Sequence, residues 1–317
     1  MTASPPDLEL ICDDFAGELE RLRRGGARLE IIYPADEPHT AILSQDGRRV
    51  RLTSRPEAPP RAAGLPEFRP AFTLVRAGAD SGEGRAGMRY RDLIPGRLGG
   101  RYIASHITIA EGGPVPDWVH FHRIAVQLIF VRTGWVRVVY EGQGGPFVAA
   151  AGDIILQPPE IRHRVLESSP AFEAIEITCP ALHETFAEHD MMLPGGPPDP
   201  ARAFGGQRFL HHVAAMSPWL EWNGGEARGT AASDSSGGLA DARTLRPGAS
   251  PVIAVLPHDG ELVFGFVLRG SVRLEYKGEH GLGPADCFVI PPGEPWTLSE
   301  MSDDLRLLHV TTARIDP

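Results

Sequence analysis

Three histidines in one short stretch are the residues of this chain best suited to chemistry. His120 and His122 stand one residue apart in Trp118-Val119-His120-Phe121-His122, and His163 closes the same stretch. Residues i and i+2 of a strand share a face, so an extended backbone points His120 and His122 the same way. Strand pairing that brings His163 alongside completes half a metal shell. Imidazole suits zinc, copper, iron and nickel. A lone histidine is more often a hydrogen-bonded core residue, but three at this spacing favour a ligand role.

The elements that position them are short strands. The chain of 317 residues carries 36 glycines and 30 prolines, which punctuate brief apolar runs. Such punctuation predicts many short strands and an all-β fold. A formal net charge of −10 argues against general nucleic-acid binding. No apolar run approaches the ~20 residues that span a bilayer, and residues 1–14 lack a basic region followed by an apolar one. Cys12, Cys179 and Cys287 lie far apart and form no CxxC pair, a pattern that fits a reducing cytoplasm. A cytoplasmic protein without membrane or nucleic-acid partners is therefore expected.

In chain order, apolar residues at Leu10, Ile11, Phe15, Leu19 and Leu22 predict a helix within residues 7–24. Asp46-Gly47 between alternating arms predicts a hairpin. Residues 56–71 are proline-rich and read as a linker. From residue 88 to about 180 strand follows strand, as in a barrel or jelly roll. Residues 182–192 carry a short helical pattern, and a Gly/Pro-rich linker follows. The plan then repeats: Phe130–Arg137 matches Phe266–Arg273, Tyr140 matches Tyr276, and Asp153 with Pro158-Pro159 matches Asp286 with Pro291-Pro292. The expected organisation is an N-terminal helix and hairpin extension (1–87), a first barrel (88–190), a linker (191–225) and a second barrel (226–317). Exposed strand edges of such barrels favour a homodimer or higher homo-oligomer.

The histidine pair, Gln127 and Gly134 resemble the first motif of the cupin superfamily; Gly152, Pro158 and His163 resemble its second. The resemblance covers both halves beyond residue 88 and implies a bicupin, two tandem double-stranded β-helix jelly-roll barrels. It implies one divalent metal held by His120, His122 and His163, with Gln127 at the position usually held by glutamate. Glu160 stands where the second motif usually has glycine, and Glu167 replaces its terminal asparagine. In the second copy His258 aligns with His122, Leu256 with His120, Val263 with Gln127 and Trp296 with His163. That copy has lost its ligands and reads as structural, or as an apolar pocket. A metal-competent first barrel beside a degenerate second resembles the layout of gentisate-type dioxygenases.

Strand parity gives the first barrel a polar lining of the three histidines, Gln127, Gln157 and Tyr140, with apolar neighbours Ile129 and Ile155 as the substrate pocket. Three neutral imidazoles and a neutral amide leave a divalent ion its full charge, which favours an anionic ligand. Without a carboxylate among the ligands, proton transfer falls to Tyr140 or to a histidine outside the shell such as His106. The expectation is a metal-dependent oxidoreductase, an iron(II) dioxygenase acting on a small anionic, enolisable or aromatic substrate. Mn, Cu, Ni and Zn also fit the shell. A lyase, hydrolase or isomerase using Zn, Mn or Ni as Lewis acid is the alternative enzyme, and a small-molecule sensor cupin the non-enzymatic one. Arg123, Arg132, Arg137, Arg162 and Arg164 have outward parity and read as solvated or salt-bridged, and Glu173 and Glu176 as sheet surface or edge.

Overall fold

The computed structural model describes residues 6–55, 64–78 and 82–315. The start of the proline-rich stretch, 56–63, lies outside the described residues. Strands dominate and build two barrels, each from two sheets. One sheet of the first barrel runs in the order Arg28–Tyr33, Thr185–Ala187, His120–His122, His163–Ser168, Trp135–Tyr140, Phe147–Ala150. Its other sheet centres on Val126–Thr133 between Ile154–Leu156 and Phe172–Cys179. The second barrel repeats this with Leu262–Arg269 between Cys287–Ile290 and Arg306–Thr312.

The central strands read as continuous apolar runs because both faces are buried. Val126, Leu128 and Phe130 meet Phe264, Phe266, Leu308 and Val310 in a core between the barrels. The alternate residues Ile129 and Val131 pack with Val136, Val138, Tyr140 and Ile155 inside the first barrel. Gly265 is required where it stands: an added Cβ would lie 2.2 Å from Cζ of Phe288. A buried ion pair crosses the seam. Arg101 donates from Nε and Nη2 to Glu261 at 2.8 and 2.7 Å, and Tyr102 donates its hydroxyl to Glu261 at 2.9 Å.

The N-terminal extension lengthens the sheet that carries His120–His122. Its hairpin, Thr40–Gln45 with Arg48–Thr53, turns at Asp46 and Gly47, both at positive φ, as the Asp-Gly signal predicts. The helix starts later than its apolar spacing implies, at Phe15, because the Asp14 side chain accepts the Gly17 N–H and caps it. Leu8–Ile11 is a strand instead, paired in parallel with Arg48–Thr53. The helical pattern at 182–192 is likewise overridden. Thr185–Ala187 is extended, because it fills the slot between Arg28–Tyr33 and the histidine strand. Within 191–225, Leu210–His212 pairs with Ile154–Leu156 of the first barrel. Upstream, Thr73–Val75 pairs with Cys287–Ile290 of the second barrel.

Candidate metal centre

Strand register assembles the histidines. His120 faces His163 directly across an antiparallel pair, and His122 follows on the same face. The three ring centroids lie 4.1, 5.2 and 5.3 Å apart. One nitrogen from each ring falls within 4.8 Å of the others, and all three residues are buried. Their Nδ1 atoms engage partners outside the cluster: Trp118 O for His120 at 2.7 Å, Ile161 O for His163 at 3.0 Å, and Thr185 Oγ1 for His122 at 3.2 Å. A neutral imidazole that donates from Nδ1 carries its lone pair on Nε2. Such outer partners fix the tautomer and ring orientation of metal-binding histidines. The donor set therefore fits one divalent ion bound through three Nε2 atoms.

The rings are wedged in place. Trp118 meets His120 edge-on, Tyr140 stacks on His163 at 5.3 Å, and His183 stands edge-on to His122. Asp117, buried behind His120, accepts the Val165 N–H at 2.8 Å, and its other oxygen lies 3.5 Å from His120 Nδ1. Neither Asp117 nor His183 stands out in the sequence; only the position of Asp117, three residues before His120, hints at its place.

Gln127 is buried inside the barrel, but its amide oxygen is engaged elsewhere. The Tyr140 hydroxyl donates to Gln157 Oε1 at 2.9 Å, and Gln157 Nε2 donates to Gln127 Oε1 at 2.7 Å. This polarity turns the Oε1 of Gln127 to Gln157 and makes its Nε2 a donor. Burial, then the charges of Glu176 and Asp117, push the Tyr140 phenol far above its ordinary value, so it stays protonated at neutral pH. Ile129 and Ile155 line the same interior.

Glu176 is the residue that parity reading along the chain misplaces. It pairs in register with Ile129, an interior residue, and shares its face with Ala174 and Thr178. It therefore projects into the first barrel rather than lying on a sheet surface. Thr178, the register partner of Gln127, has a buried Oγ1 without a hydrogen-bond partner.

His106 does the opposite. It faces the second barrel, bonded to Glu173 at 2.8 Å, with its ring 5.8 Å from that of Phe266. The structure does not bring it to the triad, which removes it as the proton carrier. The outward arginines are paired as expected: Arg123 with Glu160, Arg132 with Glu173, Arg137 with Glu167 and Arg162 with Glu188. A groove of about 1060 Å³ runs beside the loops that flank His122 and His163, and Ile124, Pro159 and Phe204 are among its walls. None of the three histidines lines it. Glu160 has a left-handed backbone, at φ +60°. Since a side chain there costs about 1 kcal/mol, Glu160→Gly is expected to raise the urea midpoint slightly despite losing the exposed Arg123 pair.

The second barrel has no such cluster among the described residues. Register shifts the sequence match by one: Val255, not Leu256, faces Trp296 as His120 faces His163, and Leu256 is exposed. The offset between the copies drifts across unequal loops, which sequence matching alone did not resolve. His309 takes the place of Glu176, opposite Gly265, with both ring nitrogens buried and unpartnered. Burial, then Arg243 and His258, lower its pKa to about 3. A histidine held below its unfolded value of ~6.5 contributes stability at neutral pH that is lost as pH falls through that value. Between pH 8 and pH 5 this one group should cost roughly 2 kcal/mol of unfolding free energy. Denaturant titrations of wild type and His309→Phe across that range measure it.

The fold can now be placed among known ones. Oxalate decarboxylase from Bacillus subtilis superposes with a TM-score of 0.55 at 10% identity, covering 80% of this chain and 78% of that one. The Escherichia coli protein Ylba gives 0.55 at 12% identity over 80% and 95% of the two chains. The chain has the bicupin fold. A Lactobacillus farciminis oxalate decarboxylase, solved as a formate complex, also superposes, at 0.53 and 13% identity over 80% of this chain and 88% of that one. No family model matches this bicupin, and no curated protein matches it. No helix among the described residues is long and apolar enough to cross a membrane.

Proposed function

We propose that the first barrel is a metal-dependent active site, and that the chain is an iron(II) dioxygenase of a small anionic, enolisable substrate. The observation that carries this reading is the buried triad of His120, His122 and His163, each with Nδ1 engaged away from the others. A divalent ion there would act as Lewis acid and as the site at which substrate oxygens and dioxygen meet. The triad itself brings no negative charge to such an ion, which favours an anionic ligand such as a carboxylate, enolate or phenolate.

The chain's own residues divide the remaining work. Gln127, fixed by Gln157 and Tyr140, presents amide N–H donors that orient a bound anion. Glu176 is the carboxylate on the interior face and takes the substrate proton at an oxygen of its side chain. Ile129 and Ile155 exclude water from the same space. Glu176→Gln is therefore expected to lower kcat on the order of 100-fold with little change in KM. Gln127→Glu places a negative charge where the donor stands. Azide binding to the metal-loaded protein, followed spectroscopically, should weaken about tenfold or more, about 1.4 kcal/mol.

The deciding experiment is oxygen consumption with a panel of phenolic and 1,3-dicarbonyl acids. Uptake of one dioxygen per substrate supports the dioxygenase. Turnover that continues unchanged without oxygen would instead favour redox-neutral cleavage of a small carboxylate. That second reading draws on the neighbours named oxalate decarboxylase, and it keeps the same metal and the same Glu176.

A further inference from the structure

We propose that Arg228, Arg246 and Arg306, gathered around Trp219 on the second barrel, form with Arg269 a binding site for a phosphate-class anion. Arg269 and Arg306 face each other in register on neighbouring strands. Arg246 follows Leu245, which faces Leu307, the residue after Arg306. Three guanidinium groups therefore stand at the matching ends of three adjacent strands. Like charges placed directly across a sheet are destabilising, so the arrangement needs a compensating partner.

The protein supplies only part of one. Glu226 pairs with Arg246, while Arg269 and Arg306 donate to the backbone carbonyls of Asp304 and Leu305. Arg228 Nε is buried without a hydrogen-bond partner. Glu221, in register with Glu226, adds a third carboxylate to those of Glu226 and Asp304, so the four arginines leave the cluster a net positive charge. Arg306 is held below its ordinary pKa by burial first, and then by the charges of Arg269, Arg246 and Arg228.

Trp219 organises the donors. The guanidinium carbons of Arg246, Arg228 and Arg306 lie 4.4, 4.7 and 5.3 Å from its ring centroid. Cation–π contact with the indole holds the guanidinium groups close together, and their N–H donors suit phosphate oxygens. The net positive charge favours an anion. The chemistry is shared by free phosphate and by a small phosphate monoester, and an aryl ester would also lie against the indole.

The test is calorimetric titration of the metal-loaded, full-length protein at low ionic strength, with inorganic phosphate in one arm and phenyl phosphate in the other. Saturable binding is expected in at least one arm, and the tighter arm names the source. Arg306→Gln should weaken it at least tenfold and, relieved of repulsion, should melt above wild type in phosphate-free buffer. Binding should survive His163→Ala, which separates this site from the metal centre. Absence of saturable binding, unchanged affinity in Arg306→Gln, or loss of binding in His163→Ala would each overturn the proposal.

Discussion

His163→Ala should strip the first barrel of its metal, lowering occupancy from about one ion per chain to below a tenth. His163 faces His120 across the sheet and supplies one of only three nitrogens in the cluster. Changes to groups that merely support metal ligands already cost about 10–100-fold in affinity, so losing a ligand should cost more. The same substitution removes the ring on which Tyr140 stacks, so a fold check by circular dichroism belongs beside the metal assay. Trp296→Phe, at the matching register position of the second barrel, should leave occupancy unchanged. Loss of metal in that variant would move the competent site to the wrong barrel.

The second large effect is on stability. Glu261→Ala should destabilise the protein by about 3–5 kcal/mol, the range for removing one partner of a buried ion pair. The pair is almost sealed from solvent, with side chains 4% and 7% exposed. Burial pushes the Glu261 carboxyl up, but hydrogen bonds from Arg101, the Ile315 N–H and Tyr102 hold it below the usual range. Removing Glu261 leaves the Arg101 guanidinium charged between the two barrels and costs Tyr102 one of its hydroxyl partners. Arg101→Met with Glu261→Leu should recover most of the loss, because replacing both charges by apolar groups is often near neutral. Urea unfolding of the single and double variants reads both values. A single variant within 1 kcal/mol of wild type would show the seam to be wet.

Much of the site was legible along the chain, because its three histidines fall within one stretch of the sequence. His120 and His122 share a face by strand parity alone, and His163 closes the same stretch. The Asp46-Gly47 turn and the two-fold repeat were legible for similar reasons: turn chemistry and spacing are local signals. What failed depended on contacts between distant strands. The strands that meet between the barrels are buried on both faces, so polar residues there carry no mark of which face is inside. His106 consequently points to the second barrel, and Glu176 to the interior of the first. The role of Gln127 turned on Gln157, thirty residues away, whose donor direction no spacing encodes. Tertiary pairing also overrode helical spacing at Leu8–Ile11 and Thr185–Ala187.

The resulting picture is a division of labour between two copies of one fold. The first clusters three imidazoles, with Glu176 facing the barrel interior from the strand that pairs with that of Gln127. The second places neutral His309 at the equivalent point and buries Trp296 where His163 would stand. The N-terminal strands Arg28–Tyr33, Thr40–Gln45 and Arg48–Thr53 extend the sheet beyond Thr185–Ala187, so the strand of His120 and His122 lies inside the sheet.

Element-resolved metal analysis of the native protein, purified without chelators, tests the central claim most directly. About one divalent ion per chain is expected, with iron the element present. Protein that is metal-free as purified and takes up no divalent ion when titrated would contradict it.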